Sequence, residues 1–432
     1  MGRDENLQLS AIAMNRWALF GISLLAWILC SPIEAAATAE PDSIEIAQDS
    51  ADTEEFEGLP EESHPESTSY LKLESALAQY RSLQRSGGWP AVPDGPSMRK
   101  GDSGPRVATL RNQLRISDDL EEVNEQDSDL FDDEMDLGVR RFQERHGRTV
   151  DGIVGPNTLT DLNVPVEQRV RQIELNLERW RQVPRNLGER FIMVNTASFQ
   201  LEFVENDQRL MKMRVVAGRR SRSTPEVSSE LTYLVINPYW HIPHGIAKRD
   251  ILPKIQEDPD YLVRQSILVF ENWESDAPKI DAQSVEWSEV TERSFAFKLR
   301  QEPGPRNALG RIKFAFPNQF SVYLHGTPAQ GLFRKAQRDF SSGCVRIEKP
   351  IELASLLLES EPGWTRKRII NTVRTGKTQV VRLSEKIPVH LSYWTSWVDE
   401  NETIHFRDDI YGRDKSLKSL LSKSLSSSHP AN

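Results

Sequence analysis

The chain has 432 residues, of which 38% are hydrophobic and 27% charged, and a formal net charge of −10. That length exceeds what one ordinary hydrophobic core organises, so two or three domains are expected, and the apolar share suits a soluble globular protein. No basic stripe is available to track a phosphate backbone, which excludes nucleic acid as a leading partner class.

Residues 1–37 read as an export signal or an uncleaved anchor. Arg3 and Arg16 precede the apolar run Trp17–Cys30, and Ala35, Ala36, Ala37 and Ala39 supply the small residues of a cleavage region. The fourteen residues of that run would rise about 21 Å as a helix, short of a hydrocarbon core of roughly 30 Å. Leu29 is too bulky for the position before a lipidated cysteine. Either way the rest of the chain is expected outside the cytoplasm, secreted or tethered to the inner membrane. Residues 38–66 form an acidic linker. Between 38 and 68 there are eleven Asp or Glu and no Lys or Arg, a composition that cannot bury enough apolar surface to offset the entropy of ordering.

Residues 67–96 open with a helix carrying Leu73, Leu77 and Tyr80 at helical spacing, ended by Gly87-Gly88. Residues 97–164 read as a three-helix module. Val107, Leu110 and Leu114 lie on a first helix and Met135, Val139 and Phe142 on a second. Pro156 opens a third after the Asp151-Gly152 turn. Between the first two helices, residues 118–136 hold eleven Asp or Glu. The segments Arg99–Gly104, Phe142-Gln143 and Asp151–Leu159 resemble the peptidoglycan-binding type 1 family, which implies a module that either holds wall glycan or stem peptide or serves only as architecture. Residues 165–188 return to helix, with Val166, Val170, Ile173, Leu177 and Trp180 on one stripe. This helix is expected to pack on the first one, so that the two bracket the module as a scaffold.

From 189 to 414 the pattern is mainly that of antiparallel β structure. Phe191–Val194, Phe199–Val204, Met211–Val216 and Leu231–Ile236 are short apolar segments separated by turn residues. Residues 243–300 read as irregular and partly helical. Strands resume at Lys313–Phe316 and Ser321–Leu324. A helix is expected at about 329–338, another at 350–359, and strands again across 378–407. The Ser-rich end, 415–432, reads as a disordered tail.

Cys344, in Ser341-Ser342-Gly343-Cys344-Val345-Arg346, is one of two cysteines. With the first 37 residues removed it is a lone thiol in an oxidising compartment, either an inert buried side chain or a reactive group. A thiol with an ordinary pKa near 8.5 needs a base to act as a nucleophile at neutral pH. The nearest histidine, His325, ends a predicted strand, and fifteen residues separate it from Ser341. A short helix and two turns in that gap would bring imidazole and thiol to one rim. Gly343 permits a sharp turn that frees backbone N–H groups as oxyanion donors. Eight His residues occur without a local metal-binding spacing, so neither a metal nor a cofactor is expected.

His325-Gly326-Thr327-Pro328 followed by Ser341–Arg346 resembles the active site of the L,D-transpeptidase (YkuD) family. Ser342 stands where that family usually carries His, which leaves His325 as the base. Asn237–Pro243, Pro303–Leu309, Pro388–Trp394 and Phe406–Arg413 are similar to the large YcbB-type subgroup. Gly326 occupies a position where many of that subgroup carry Asp.

The resemblance implies an α+β multidomain protein. Its catalytic domain would be a YkuD-like β-sandwich with a capping insertion at about 243–300. It also implies a periplasmic peptidoglycan cross-linker acting on stem peptides, open to carbapenem-type inhibitors. Cys344 would form the thioester, with His325 as base, the Gly326 carbonyl orienting the imidazole, and the Gly343 and Cys344 N–H groups holding the oxyanion. Ser342 belongs to the same orienting group, while Arg346, Tyr323, Trp240 and Ser341 would line the substrate pocket. A hydrolase on the same scaffold and a non-catalytic wall-binding protein are the alternatives.

Overall fold

The computed structural model describes residues 68–121, 129–184 and 187–427, with side chains as far as 421. The export-type segment with Cys30, the acidic linker and the middle of the acidic connection at 122–128 lie outside the described residues.

Helix α1 (Thr68–Arg85) turns Tyr70, Leu73, Leu77 and Tyr80 inward. Three short helices follow, α2 (Pro105–Ile116), α3 (Asp133–Arg145) and α4 (Pro156–Leu162), and then α5 (Val166–Arg181). The inward stripe of α1 meets Val166, Val170, Ile173 and Leu177 of α5, and Phe406 completes that core.

Between these two helices α2–α4 enclose a separate core containing Leu110, Phe131, Met135, Val139 and Phe142. Much of the acidic connection is structural here. Asp119 is buried on Arg145 through two hydrogen bonds of 2.6 and 2.5 Å, and Asp132 caps α3 by accepting the Met135 N–H. Gln143 ties down the Asp151-Gly152 turn, its amide donating to Asp151 and Ile153 while its oxygen accepts two backbone N–H groups.

The β-rich region that follows runs β1 (Arg190–Asn195), β2 (Gln200–Glu205), β3 (Gln208–Gly218) and β4 (Val227–Ile236). An inserted subdomain follows: β5 (Trp240–Ile242), α6 (His244–Ile246), α7 (Leu252–Glu257), α8 (Tyr261–Arg264), β6 (Ile267–Phe270), β7 (Lys279–Ile280) and β8 (Lys298–Gln301). The chain then returns through β9 (Ile312–Ala315), β10 (Leu324–His325), β11 (Asp339–Ser341), β12 (Val345–Ile347), α9 (Pro350–Leu357), α10 (Arg366–Thr375) and β13 (Gln379–Ser392). It ends with β14 (Ser396–Val398), β15 (Ile404–Phe406) and α11 (Arg413–Ser427).

Nine of these strands form one sheet in the order β11-β3-β12-β10-β9-β4-β13-β1-β2. Because β2 also pairs with β3, the sheet closes on itself. The sandwich expected from the resemblance therefore takes the form of a single curled sheet around one core of Val194, Phe203, Leu234, Phe314, Leu324 and Val345, with α9 contributing Leu353 and Leu357. The inserted subdomain is more regular than its charge and proline content suggested. It has its own sheet, β5-β8-β6-β7, and its own core, including Ile251, Ile255, Leu262, Trp287 and Leu299.

Two sequence expectations are corrected. The helix expected at 329–338 is only a 3₁₀ turn, Gln330–Arg334. The tail expected to be disordered from 415 is helical to Ser427. Its first turn is fastened by Asp409, which accepts the N–H groups of Arg413 and Asp414, and by Asp414, which pairs with Arg179 at 2.6 Å. Serine content alone did not reveal those long-range partners.

Phe406 joins the bracket helices to the module. It is 1% exposed, with ring centroids 5.5 Å from Tyr80 and 5.6 Å from His146 and the Arg169 guanidinium 4.6 Å from its own centroid. Phe406→Ala is expected to cost about 3–5 kcal/mol in urea unfolding and to speed proteolysis around the module. A change below about 1 kcal/mol would contradict this central packing role.

Candidate active site

The site begins with strand register. In β10, Leu324 pairs with Phe314 of β9 and Val345 of β12, while His325 pairs with Lys313 of β9 and Arg346 of β12. Successive side chains on a strand face opposite ways. Leu324, Phe314 and Val345 point into the closed core and are fully buried, so Lys313, His325 and Arg346 occupy the other face. Two residues earlier on each parallel strand come Tyr323 and Cys344, which share that face. The ladder extends to them, since the Val345 N–H donates to the Tyr323 carbonyl at 3.1 Å.

His325 is buried, and its Nδ1 lies 2.6 Å from the Gly326 carbonyl oxygen. A carbonyl only accepts, so Nδ1 carries the proton and Nε2 keeps the lone pair. Burial, with Arg346 and Lys313 on either side, drives the imidazole pKa down to about 3, and the ring is neutral across the physiological range. Gly310 allows the preceding loop to press on this strand end. It has φ +66°, and a Cβ there would stand 2.5 Å from the Gly326 carbonyl carbon.

Cys344 is half-buried, and its Sγ lies 4.0 Å from the Ser321 carbonyl oxygen. Ser321 itself is left-handed, at φ 52°. Burial pushes the thiol pKa up, while the backbone N–H and hydroxyl of Tyr323 and the charges of Lys313 and Arg346 act against that rise. The Tyr323 hydroxyl, which faces both the thiol and Trp240, is held protonated well above its usual range, mainly by burial. Its ring lies 5.6 Å from that of His325. Sequence reasoning expected thiol and imidazole to meet. Among the described residues no hydrogen bond joins them, and they sit as diagonal neighbours on the sheet face. Catalytic contacts of this kind commonly close only when substrate is bound.

The cysteine loop corrects three expectations. Ser341 is not a substrate-facing residue: it is 2% exposed, and its hydroxyl donates to the Cys344 carbonyl at 2.5 Å. The Gly343 N–H, expected in the oxyanion site, instead donates to Ser341 Oγ at 3.2 Å. Gly343 is still required by its φ of 117°. Ser342 turns from the thiol and accepts from Arg222 at 3.0 Å and Arg219 at 3.3 Å. Both arginines also pair with Asp250 of the inserted subdomain, which ties that subdomain to the loop. From below, Thr224 donates to the Gly343 carbonyl at 2.8 Å and accepts the Gly218 N–H at 2.9 Å.

Lys313, Thr224 and Arg222 were not singled out from sequence. Lys313 carried a signal, a lone cation inside the apolar segment Ile312–Phe316. The other two become visible only through contacts across the sheet. A cavity of about 430 Å³ lies away from Cys344, between the Arg148–Thr158 stretch of the helical module and the Ala197–Gln200 turn. Among the described residues no cluster of three or more His, Cys, Asp or Glu is arranged to hold a metal ion.

Residues 189–381 match the family model described as "L,D-transpeptidase catalytic domain" (YkuD), and residues 103–162 match "Putative peptidoglycan binding domain". A Haemophilus influenzae protein named "Putative L,D-transpeptidase" is 34% identical over 247 residues. That stretch covers 57% of this chain and 49% of the relative, so the chain spans about half the length of the curated relative it matches. Among solved structures, the L,D-transpeptidase (residues 123–326) of Xylanimonas cellulosilytica is 15% identical with a TM-score of 0.22, covering 69% of this chain and 99% of that one. The L,D-transpeptidase of Stackebrandtia nassauensis is 12% identical with a TM-score of 0.25, covering 70% and 96%.

The neutral thiol beside a neutral imidazole has a direct consequence. Alkylation of Cys344 by iodoacetamide should rise with pH through a midpoint above the ordinary thiol value of about 8.5. Arg346→Met, which removes a positive charge near the sulfur, should move the midpoint further up. A wild-type midpoint at or below 7 would mean a preformed thiolate and contradict this reading.

Proposed function

We propose that this chain, which carries an L,D-transpeptidase catalytic domain of the YkuD family at residues 189–381, forms 3→3 cross-links between peptidoglycan stem peptides through a thioester on Cys344. The observation that carries the reading is the shared sheet face of Cys344, Tyr323, His325 and Arg346, set by the pairing of β10 with β12.

In the first half-reaction the thiol attacks the carbonyl of the third stem residue, the L-centre of meso-diaminopimelate. His325 Nε2 takes the S–H proton as the C–S bond forms, and passes it to the amine of the departing D-alanine as the C–N bond breaks. In the second half-reaction the side-chain amine of another stem attacks the thioester. The amine gives its proton to His325, the C–S bond breaks, and the thiolate recovers the proton. The Gly326 carbonyl holds the imidazole in the tautomer this requires.

With the Gly343 N–H engaged by Ser341, the oxyanion falls to the Cys344 N–H and the Tyr323 hydroxyl, which burial keeps protonated. Arg346 has its Nε buried without a hydrogen-bond partner and suits a substrate carboxylate, a match that guanidinium makes well. Trp240, which meets the Tyr323 hydroxyl, is proposed as a wall of the substrate site. The 103–162 module belongs to a peptidoglycan-binding type, and the 430 Å³ groove beside it is the surface proposed to meet wall polymer. An extracytoplasmic, periplasmic address follows from this substrate and is supported by the export-type residues 1–37. A carbapenem, whose strained carbonyl presents the same thiol with an acylating target, is proposed as an inhibitor.

Incubation with a disaccharide-tetrapeptide separates the readings. The wild type should release D-alanine and form 3→3 dimers. Cys344→Ala should abolish both, and His325→Ala should lower both by about 10²–10⁴-fold. Free tripeptide without dimers would make the protein a hydrolase. Dimers formed by Cys344→Ala would remove the thiol from the mechanism.

A further inference from the structure

Lys313, His325 and Arg346 form a row across three neighbouring strands, with His325 paired to Lys313 on one side and Arg346 on the other. Neighbouring strands lie about 4.8 Å apart, so the backbones of the two cationic residues stand roughly 10 Å apart, with the imidazole between them. Neither cation has a carboxylate partner among the described residues. The Lys313 ammonium lies over the Tyr323 ring, 4.2 Å from its centroid, and Arg346 Nε is buried with no hydrogen bond.

Other cations around the site have carboxylate partners. Arg219 and Arg222 meet Asp250, and Arg214 meets Glu348. Withdrawing a charge from water without a partner is costly. Two such charges on either side of a neutral base create a site complementary to two anions, and the protein supplies neither.

We propose that Lys313 is a specificity-determining residue that binds a second carboxylate of the acyl donor, opposite the one on Arg346. The preferred donor is then a stem peptide with two free carboxylates near the scissile bond. This rests on the L,D-transpeptidase reading. A tetrapeptide ending in diaminopimelate and D-alanine has the required chemistry, with one carboxylate on the side-chain centre of the diaminopimelate and another on the departing D-alanine. A stem amidated at either position lacks one of them. Lysine suits the position because its compact ammonium reaches along the tyrosine ring without needing the planar geometry of a guanidinium.

The test is D-alanine (or D-alanine amide) release by the full chain from three tetrapeptides: the free acid, and one amidated at each carboxylate in turn. Wild type, K313M and K313R are compared, with folding checked by thermal melting. The wild type should prefer the free acid over one of the amides by about 10–100-fold in kcat/KM, as expected for a charge-assisted pair. K313M should lose that preference, mainly through a higher KM for the free acid, and K313R should retain most of it. If K313M slowed all three stems by one common factor, or changed none, the assignment of Lys313 would be overturned alone. If the wild type released nothing from any stem, the transpeptidase reading would fall and this proposal with it.

Discussion

The proposed chemistry depends on the pairing of two very short parallel strands, Leu324–His325 and Val345–Ile347. Their register, combined with the two-residue alternation of a strand, sends Leu324 and Val345 into the closed core and leaves Tyr323, His325, Cys344 and Arg346 together on the opposite face. A slip of one residue would reverse this, burying imidazole and thiol in the core and exposing leucine and valine. Core packing and active-site geometry are therefore one constraint, since the same hydrophobic contacts that close the sheet aim the reactive groups.

What surrounds those strands keeps the pair neutral. Burial raises the thiol and depresses the imidazole, so the resting site is a neutral acid beside a neutral base rather than an ion pair. Such an arrangement postpones charge separation until the substrate carbonyl is in place, where preorganised donors act most strongly. The loop that presents the cysteine is pinned on two sides, by Thr224 beneath the Gly343 carbonyl and by Arg219 and Arg222 at Ser342. Through Asp250 the second anchor belongs partly to the inserted subdomain, which makes that subdomain a structural neighbour of the cysteine loop. Ser342 accepts both of these guanidiniums.

The parts of this arrangement that were legible in the sequence are those encoded locally. Helical spacing in Leu73–Tyr80 and Val166–Leu177 announced the bracket helices. Cys344, His325 and the glycine before the thiol stood out through residue type and spacing. Other features depend on contacts between distant segments. The side-chain hydrogen bonds of Ser341 close on its own loop, and nothing in a serine next to the cysteine motif distinguishes that from substrate contact. Helix α11 owes its start to Asp409 and to Arg179 of a remote helix. The inserted subdomain hides a full core, because its apolar residues are scattered among charges. Lys313 stood out in the sequence only as a lone cation in an apolar segment, and its place beside His325 comes from the pairing of β9 with β10.

The central claim is that Cys344 becomes acylated by a stem peptide. Rapid quenching of the full chain with tetrapeptide, followed by intact-mass measurement and peptide mapping, tests it most directly. The account predicts a transient mass increase equal to the donor stem minus D-alanine, located on Cys344 and lengthened in lifetime when no acceptor amine is present. Turnover of the tetrapeptide with no such adduct, or with the adduct on another residue, would contradict it.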